Sequence, residues 1–374
     1  MPKPGFKAKK KYSAVGAYVF AGGFTVGVKN AGFNVRCHLE ESDYGVETFK
    51  KNVKNIPVYD AVESWPLDDL AASSPDFVYG NPPCAAWSVA GYTKHKGTDK
   101  WKTDPRVACT ERHFGLLAAL EPIVWVWESV TQAWTKGREF VMLLAAKAAS
   151  LGYSTTLVLH DAQYLGLPQV RKRFFMVCHR VAVDLLPPDF DACLKPIDFL
   201  HGSKVGVASS GKSMIPIRRF DAKMLAKVLP GERLTKFWMR EIGGFDQSKW
   251  KRNSQGNVAG RPSFGHCRLP LDRPCGAVVG YGMVHPVEHR WLSTEEMQLL
   301  SGFPSDYEFT PTRPSARASE IARGVCPPVA EWLAKSIRQS LNANIRLKTP
   351  SVTLVNLLKP GIASIDLTHE LKEV

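Results

Sequence analysis

The stretch that decides the fold is residues 14–31, AVGAYVFAGGFTVGVKNA. Its first seven residues are mostly apolar, and they predict a strand over 14–20. Gly22 and Gly23 follow, and an amphipathic stretch after them predicts a helix over 24–31. A glycine pair between a strand and a helix lets the backbone approach a ligand closely at the helix N-terminus, although such a pair also makes an ordinary tight turn.

The same alternation of short apolar runs and amphipathic stretches continues through the first 190 residues. It is typical of a doubly wound α/β fold with a largely parallel sheet, in which ligands bind at the carboxyl ends of the strands. The predicted strands are 14–20, 35–39, 77–79, 123–127, 154–159 and 173–178, and the predicted helices are 24–31, 44–52, 113–120, 140–150, 294–300 and 329–341. We expect the last helix to return to the first domain.

The composition excludes several classes of protein. The chain has 374 residues, 44% hydrophobic and 22% charged, which is typical of an ordinary globular protein of about two domains. The longest apolar stretch, 141–149, is interrupted by Lys147 and is too short to cross a membrane. The basic N-terminus lacks the apolar stretch of a signal peptide, so we expect a cytosolic protein. The 8 cysteines form no CxxC pair, which argues against a disulfide framework and a zinc site.

Positive charge is concentrated in one region. The chain has 49 Lys and Arg against 35 Asp and Glu, a net charge of +14. Residues 195–273 hold sixteen of the basic residues and six of the acidic ones, a net +10 in one block. This block also carries Trp238 and Trp250 and shows little periodicity. It indicates a loop-rich basic module that binds nucleic acid, the alternative being a solvated surface that binds nothing.

A candidate nucleophile lies in GNPPC, residues 80–84, directly after a predicted strand. Two prolines fix the backbone there and project Cys84 at the carboxyl end of the sheet, where a thiolate can attack a substrate. A single cysteine is otherwise more often a small buried apolar residue. Residues 91–110 are rich in Lys, Gly, Asp and Trp, and we predict a mobile loop that closes over a substrate.

Charged side chains follow other predicted strands. Glu128 ends an apolar strand, where desolvation raises the pKa of a carboxyl group and makes it a plausible proton donor. Arg171 and Arg173 occupy alternate positions, so their guanidinium groups can converge on an anion or a carbonyl oxygen, unless they are only an ordinary basic strand start. Glu40 and Asp60 could bind a ribose diol and an adenine amino group, or could be surface or capping residues.

Taken in order, these segments resemble one family, the DNA cytosine-5 methyltransferases, which use S-adenosylmethionine. The resemblance covers about residues 13–340. GNPPCAAWSVAG (80–91) is similar to the family's proline-cysteine loop, and DAQYLGLPQVRKRFF (161–175) to its Gln-x-Arg-x-Arg motif. Further similar segments are PIVWVWESV (122–130), HPVEHRWLSTEEMQLLSGFP (285–304) and ARGVCPPVAEWLA (322–334).

The resemblance implies a mechanism and a role for each catalytic residue. A cytosine is flipped out of the duplex, and Cys84 attacks carbon 6 of its ring. Glu128 protonates or hydrogen-bonds ring nitrogen 3, which makes carbon 5 nucleophilic enough to take the methyl group. Arg173 contacts the base carbonyl, and Arg171 supports the loop or the phosphate.

The resemblance also implies S-adenosylmethionine as the cofactor, no metal, and double-stranded DNA as the partner of a monomeric enzyme. The residues that match cofactor-binding positions of the family are Tyr18, Phe20, Gly22, Gly23, Glu40, Glu41, Asp60, Ala61, Pro82, Arg323 and Val325. Glu41 and Ala61 match positions that pack on adenine in relatives.

Several positions depart from the family pattern. Phe20 replaces a glycine of the motif Phe-x-Gly-x-Gly-Gly, Ala85 replaces the Gln after the nucleophile, and Ser129 replaces the Asn after the acid. In the closing motif, Ala322-Arg323 replaces Gly-Asn, which would place a cation near the donor sulfonium. Arg323 either turns outward to solvent or pairs with a carboxylate on a modified donor, carboxy-S-adenosylmethionine, so that a carboxymethyl group is transferred.

With this resemblance we divide the chain into five parts. They are a basic tail (1–12), a catalytic cofactor-binding domain (13–190), a target-recognition domain (191–290), a return to the catalytic domain (291–345) and a C-terminal extension (346–374). Two other functions stay open: a tRNA cytosine-5 methyltransferase of the same fold and a catalytically inactive DNA-binding homologue. The recognised DNA sequence is not readable, because loop-rich recognition modules follow no code that links residue to base.

Overall fold

The structure is a computed structural model that describes residues 11–88, 100–200, 220–241, 266–280, 282–361 and 363–372. Most of the basic block, including Trp250, and the first part of the predicted loop over 91–110 lie outside the described residues. So does nearly all of the predicted basic tail.

The described ranges contain strands and helices in the alternating order expected of an α/β fold. The strands are β1 Ser13–Ala17, β2 Asn34–Leu39, β3 Val58–Tyr59, β4 Phe77–Gly80, β5 Val124–Val130, β6 Ser154–Asp161, β7 Gln169–Val170, β8 Lys172–His179, β9 Cys275–Gly276, β10 Val352–Leu357 and β11 Ala363–Asp366. The helices are α1 Gly23–Asn30, α2 Val46–Asn52, α3 Leu67–Ala72, α4 Val107–Leu120, α5 Gln132–Thr135, α6 Arg138–Ser150, α7 Pro196–Leu200, α8 Ala222–Ala226, α9 Leu234–Glu241, α10 Thr294–Leu300, α11 Pro314–Arg323 and α12 Pro327–Ala343.

Nine of the described strands form one sheet, in the order β11-β10-β6-β8-β5-β4-β1-β2-β3. Strands β1 to β5 pair in parallel, and β10 pairs in parallel with β6. Strand β8 runs antiparallel between β5 and β6, which places Glu128 opposite Phe175 and His160 opposite Arg173. The carboxyl ends of the parallel strands therefore meet the beginning of β8 at one edge of the sheet.

Helices cover both faces of this sheet, which confirms the predicted fold class. On β5, Trp125 and Trp127 pack on one face with α4 and α6, whereas Val124 and Val126 pack on the other face with α1 and α12. Because successive side chains of a strand point to opposite faces, one apolar strand serves two cores. Glu128 continues the series of Val124 and Val126, so it lies on the face covered by α1 and α12.

Helices α1 and α12 approach each other closely at Gly27. A Cβ atom at this position would lie 2.5 Å from Ala330 Cβ and 2.5 Å from the backbone oxygen of Pro327. Only glycine permits this separation, so the last long helix of the chain is packed directly on the first.

The first predicted strand was too long at its carboxyl end. We expected it to reach residue 20, but β1 ends at Ala17. Tyr18 and Phe20 have φ values of 54° and 48°, in the left-handed region that a strand does not use. The apolar run thus contains a turn that its residue types did not reveal.

Two other boundaries also differ from the prediction. Strand β5 runs through Val130, because its pairing with β8 continues to Arg173, and Glu128 lies inside the strand rather than after it. Helix α4 begins at Val107, where its buried face already includes Cys109 and Thr110. The end of the predicted loop over 91–110 is therefore helical.

The C-terminal residues enlarge the sheet. Strand β10 pairs with β6 and β11 forms the outer edge beside β10. Arg138 at the start of α6 donates to both carboxylate oxygens of Glu370, at 2.6 and 2.8 Å. Within the described ranges, the helices are all too short or too polar to cross a membrane.

We expect Gly27→Ala to destabilise the fold by about 2 kcal/mol or more, because the added methyl group overpacks the contact between α1 and α12. Gly115→Ala is the matched control, since Gly115 is also helical and a Cβ there meets no heavy atom within 4 Å. It should stabilise the protein by about 0.5–1 kcal/mol, the usual gain of alanine over glycine in a helix. Urea unfolding of both variants measures this, and equal changes would contradict the packing described.

Candidate active site

Cys84 lies at the carboxyl edge of the sheet. Strand β4 ends at Gly80, and Cys84 begins a short 3-10 turn, Cys84–Ala86, four residues later. Pro82 is buried, and the Cys84 side chain is half-buried. The turn therefore holds a partly accessible thiol on a backbone that the two preceding prolines restrict.

Glu128 is the buried acid beside this turn, with 4% of its surface exposed. Asn81 Nδ2 donates to Glu128 Oε2 at 2.6 Å, and Arg173 Nε lies 3.3 Å from Glu128 Oε1. Burial raises the pKa of Glu128, and the positive charges of Arg173 and Arg171 and the hydrogen bond from Asn81 offset this only in part. Glu128 thus keeps a proton more readily than an exposed glutamate and suits a proton donor.

The surroundings of Cys84 disfavour ionisation of its thiol. Burial raises its pKa, and the negative charge of Glu128 raises it further. Arg173 and Arg171 oppose this because their positive charges favour the thiolate. Neutralising Glu128 would therefore help Cys84 to ionise.

The two arginines serve different partners. Arg173 pairs with Glu128. Arg171 is buried, and its guanidinium donates to the backbone oxygens of Ala322 at 2.7 Å and Gly324 at 3.0 Å. Arg173 is thus beside the candidate acid, whereas Arg171 binds residues 322–326, which we call the closing segment.

A small cavity of about 10 Å³ lies behind this group. Its lining residues are Glu128, His160, Ala162, Arg171, Arg173, Val325, Cys326 and Val329. A space of this size holds one water molecule at most. The cavity is therefore too small to hold a pyrimidine ring.

Sequence reasoning missed two residues of this site. Asn81 is part of the quoted GNPPC motif, but only its contact with Glu128 shows what its amide does. His160 is buried and stacks on Phe175 with ring centroids 4.8 Å apart, and neither ring nitrogen has a hydrogen-bond partner among the described residues. Burial lowers the pKa of His160 to about 3, so the ring is neutral. In the sequence, only the alternation of side chains within β6 pointed to His160, because it places His160 on the same face of the sheet as Val158.

The turn after β1 forms a second part of the site. Phe20 is half-buried, and its ring lies edge-to-face with Tyr44, with centroids 6.0 Å apart. Gly22 has a φ of 94°, and Gly23 begins α1 directly against the backbone oxygen of Val325, where a Cβ would clash. The two glycines therefore allow the closing segment to approach this turn.

Glu40 follows β2 at the same edge of the sheet. It is 1% exposed, and Trp65 Nε1 donates to its backbone oxygen at 2.9 Å. The side-chain Oε2 accepts no hydrogen bond from any described residue, and His38 Nε2 lies 3.4 Å from it. A buried carboxylate oxygen without a donor fits the ribose diol of S-adenosylmethionine, so this position is compatible with the implied cofactor.

Glu41 is bound to other side chains. Arg112 donates to it with two nitrogens, at 2.8 and 3.0 Å, and Cys109 Sγ donates at 2.7 Å. Although burial opposes ionisation, these hydrogen bonds hold the pKa of Glu41 below its ordinary value. Tyr18 Oη also donates to Glu41, at 3.2 Å. Glu41 therefore orders this edge through its carboxylate, a role its family position did not suggest.

The other matched positions differ in accessibility. Asp60 and Ala61 are exposed after β3, with Asp60 4.0 Å from Lys50 Nζ. Val325 is buried in the closing segment. Arg323 is exposed, and its guanidinium lies 5.0 Å from the centre of the Tyr44 ring. Among the described residues, no group of three or more His, Cys, Asp or Glu side chains could hold a metal ion.

Known structures define the class of this fold. The chain is similar to the methyltransferase EhMeth of Entamoeba histolytica, with a TM-score of 0.59 and 13% identity over 89% of this chain and 99% of that one. It is also similar to DNMT2 of Spodoptera frugiperda, with a TM-score of 0.58 and 14% identity over 87% of this chain and 99% of that one. At these identities the likeness shows the fold alone, an α/β fold with a large central sheet as in DNA methyltransferase structures.

Sequence comparison then gives the family. The family model of the C-5 cytosine-specific DNA methylases matches residues 18–339. The type II methyltransferase M.AplI of Arthrospira platensis is 24% identical over 86% of this chain and 84% of its own length. M.DdeI of Desulfomicrobium norvegicum, also a type II methyltransferase, is 27% identical over 84% of this chain and 86% of its own length. The chain belongs to the C-5 cytosine-specific DNA methylase family, which confirms the resemblance that its motifs indicated.

The left-handed backbone at Phe20 predicts an unusual order of stabilities. Phe20→Gly and Phe20→Ala both remove the ring, so they differ mainly in the cost of a positive φ. We expect the glycine variant to be more stable than the alanine variant by about 1 kcal/mol. At Val19, whose φ is not positive, alanine should be the more stable of the same pair. Chemical unfolding of the four variants decides this, and greater stability of Phe20→Ala would contradict the strained turn.

Proposed function

We propose that this chain transfers a methyl group from S-adenosylmethionine to carbon 5 of a cytosine in double-stranded DNA, through a covalent bond between Cys84 and carbon 6. The observation that carries the proposal is the grouping of half-buried Cys84 with buried Glu128 and its partner Arg173. In a chain of this family, the group supplies a nucleophile, a proton donor and a cation at the edge of one sheet.

The target base has to leave the stack before Cys84 can reach it. Cys84 would first lose its proton to water. The resulting thiolate would bond to carbon 6, and the electrons of the ring double bond would shift towards nitrogen 3. Glu128 would give its proton to that nitrogen, which leaves an electron-rich carbon 5. Cys84 has already lost its negative charge when Glu128 becomes ionised. The two groups therefore do not have to carry a negative charge at the same time.

S-adenosylmethionine supplies an electrophilic methyl group when it is bound. Once carbon 5 carries this group, loss of the carbon 5 proton to a base and departure of the Cys84 thiolate restore the ring double bond. Glu128 then takes back the proton from nitrogen 3, and the Cys84 thiolate regains a proton from water, which returns the protein to its starting state. Arg173, freed from Glu128 when that group is neutral, would contact the base carbonyl.

The donor would bind at the edge formed by the turn after β1 and the residues after β2. Glu40 Oε2, which lacks a donor among the described residues, would accept the ribose hydroxyls. Asp60 would bind the adenine amino group. Pro82 and Val325 would line the passage between the donor and Cys84, since they belong to the nucleophile turn and the closing segment.

We further propose that residues 191–290 form the target-recognition domain and that their excess of basic residues faces DNA phosphates. A small apolar cluster supports a folded unit there; its described members include Phe220, Leu225, Leu234, Phe237 and Val284. Binding should weaken steeply as salt rises, because each neutralised phosphate releases counterions.

The covalent step is tested with DNA that contains 5-fluorocytosine. Fluorine on carbon 5 cannot leave as a proton does, so the bond to Cys84 should persist and shift the protein on a denaturing gel. Cys84→Ser should abolish this adduct. Cys193→Ser is the matched control, because Cys193 is exposed and should leave adduct formation unchanged.

The outcomes of this trap separate the candidate functions. Absence of an adduct from folded wild-type protein with donor present would contradict the proposal and indicate an inactive DNA-binding homologue. An adduct with tRNA carrying the same base, but none with duplex DNA, would assign the chemistry to RNA.

Asn81→Ala tests the protonation of Glu128. The Asn81 amide stabilises the ionised form, so its removal should raise the pKa of Glu128. Activity that needs protonated Glu128 is lost as pH rises through this pKa, and the alkaline limb of the pH–rate profile should therefore move to higher pH. Ser129→Ala is the control, since Ser129 Oγ has no hydrogen-bond partner among the described residues and the limb should stay. Movement to lower pH in Asn81→Ala would contradict the assignment of Glu128 as proton donor.

A further inference from the structure

Arg323 is a cation that the catalytic chemistry does not use. It is exposed, and its guanidinium makes no hydrogen bond or ion pair with any described residue. Its guanidinium nevertheless has a defined place over the Tyr44 ring, 5.0 Å from the ring centre. The guanidinium contacts an aromatic ring and has no acidic partner in the described part of the chain. It can therefore still bind an anion.

The backbone that carries Arg323 is fixed on both sides. Arg171 donates to the backbone oxygens of Ala322 and Gly324, the residues on either side of Arg323. The next residue, Val325, lies against Gly23 at the start of α1. The position of Arg323 relative to the turn after β1 is thus set by the core of the protein rather than by the surface.

Tyr44 adds a second unused donor at the same place. Its Oη atom is buried and has no hydrogen-bond partner among the described residues. The Phe20 ring lies against it, with ring centroids 6.0 Å apart. Four residues before Tyr44, Glu40 presents an acceptor without a donor. This loop therefore offers an acceptor at Glu40 and a donor at Tyr44, and Arg323 at the end of α11 adds a second donor beside Tyr44.

We propose that Arg323 and Tyr44 bind the α-carboxylate of the amino-acid part of S-adenosylmethionine. This inference rests on the proposed function and assigns a subsite within its donor site. The donor carries hydroxyls on its ribose and a carboxylate on its amino-acid end, which match the acceptor of Glu40 and the donors of Tyr44 and Arg323 respectively. The guanidinium is then balanced by an anion, which removes the conflict between Arg323 and the nearby sulfonium.

The test is calorimetric binding of two donors to the full chain, without a turnover step. One is S-adenosylmethionine, and the other is decarboxylated S-adenosylmethionine, which keeps the sulfonium and the nucleoside. Arg323→Gln should weaken binding of the first by roughly 10-fold or more, the usual effect of a lost hydrogen bond to a charged group, and leave binding of the second unchanged. Tyr44→Phe, which removes only Oη, should give a smaller loss with the same selectivity.

Arg313→Gln is the matched control, because Arg313 is exposed next to the other end of α11 and its replacement makes the same change in charge. It should leave both affinities unchanged. Equal weakening of both donors by Arg323→Gln, or no weakening of either, would overturn the inference. Carboxy-S-adenosylmethionine is titrated as a third donor, and weakening confined to it would also overturn the inference and would assign Arg323 to the modified donor. If the wild-type protein binds none of these donors, the proposed function itself fails.

Discussion

The buried guanidinium of Arg171 joins the parts of the molecule that the proposed chemistry requires. It donates to backbone oxygens of the closing segment at Ala322 and Gly324, and its own backbone N–H donates to Asp161 Oδ1 at 2.9 Å. A buried cation is costly unless its donors are satisfied, so this arrangement strongly favours one position of the closing segment. The segment in turn places Val325 against the turn after β1 and Cys326 beside the catalytic cavity. The proposed nucleophile site and the proposed donor site thus share one structural element.

The division of work between the two arginines follows from this constraint. The Arg171 guanidinium donates to carbonyl groups, and Arg173 is the guanidinium that pairs with Glu128. Both charges still favour the ionised form of Cys84, and both limit the rise of the Glu128 pKa caused by burial. The ionisation of Cys84, the candidate nucleophile, and that of Glu128 are therefore coupled. A change in the charge of either group alters the pKa of the other.

Local signals in the sequence were enough to predict the fold class and the placement of Cys84. Apolar runs mark the strands, and the prolines of GNPPC mark the point where the chain leaves β4. The same signals could not reveal the turn at Tyr18 and Phe20, because an apolar run looks like a strand whatever its φ values are. Nor could they reveal β10 as a sheet strand, since its partner β6 lies about two hundred residues earlier.

The side-chain partnerships of the site were also beyond sequence reasoning. Asn81 with Glu128 and Arg112 with Glu41 depend on which strand ends lie side by side, and spacing along the chain does not determine this. The family resemblance named the right segments, but it assigned Glu41 to adenine packing without its bond to Arg112. Resemblance transfers the chemistry of motifs more readily than the contacts of individual side chains.

The most direct measurement is mass spectrometry of nucleosides from the DNA of cells that express this chain, compared with cells that express Cys84→Ser at equal level. The account predicts 5-methylcytosine with the wild-type protein and none above background with the variant. Unmodified cytosine alone in both, or equal methylation by the variant, would contradict it.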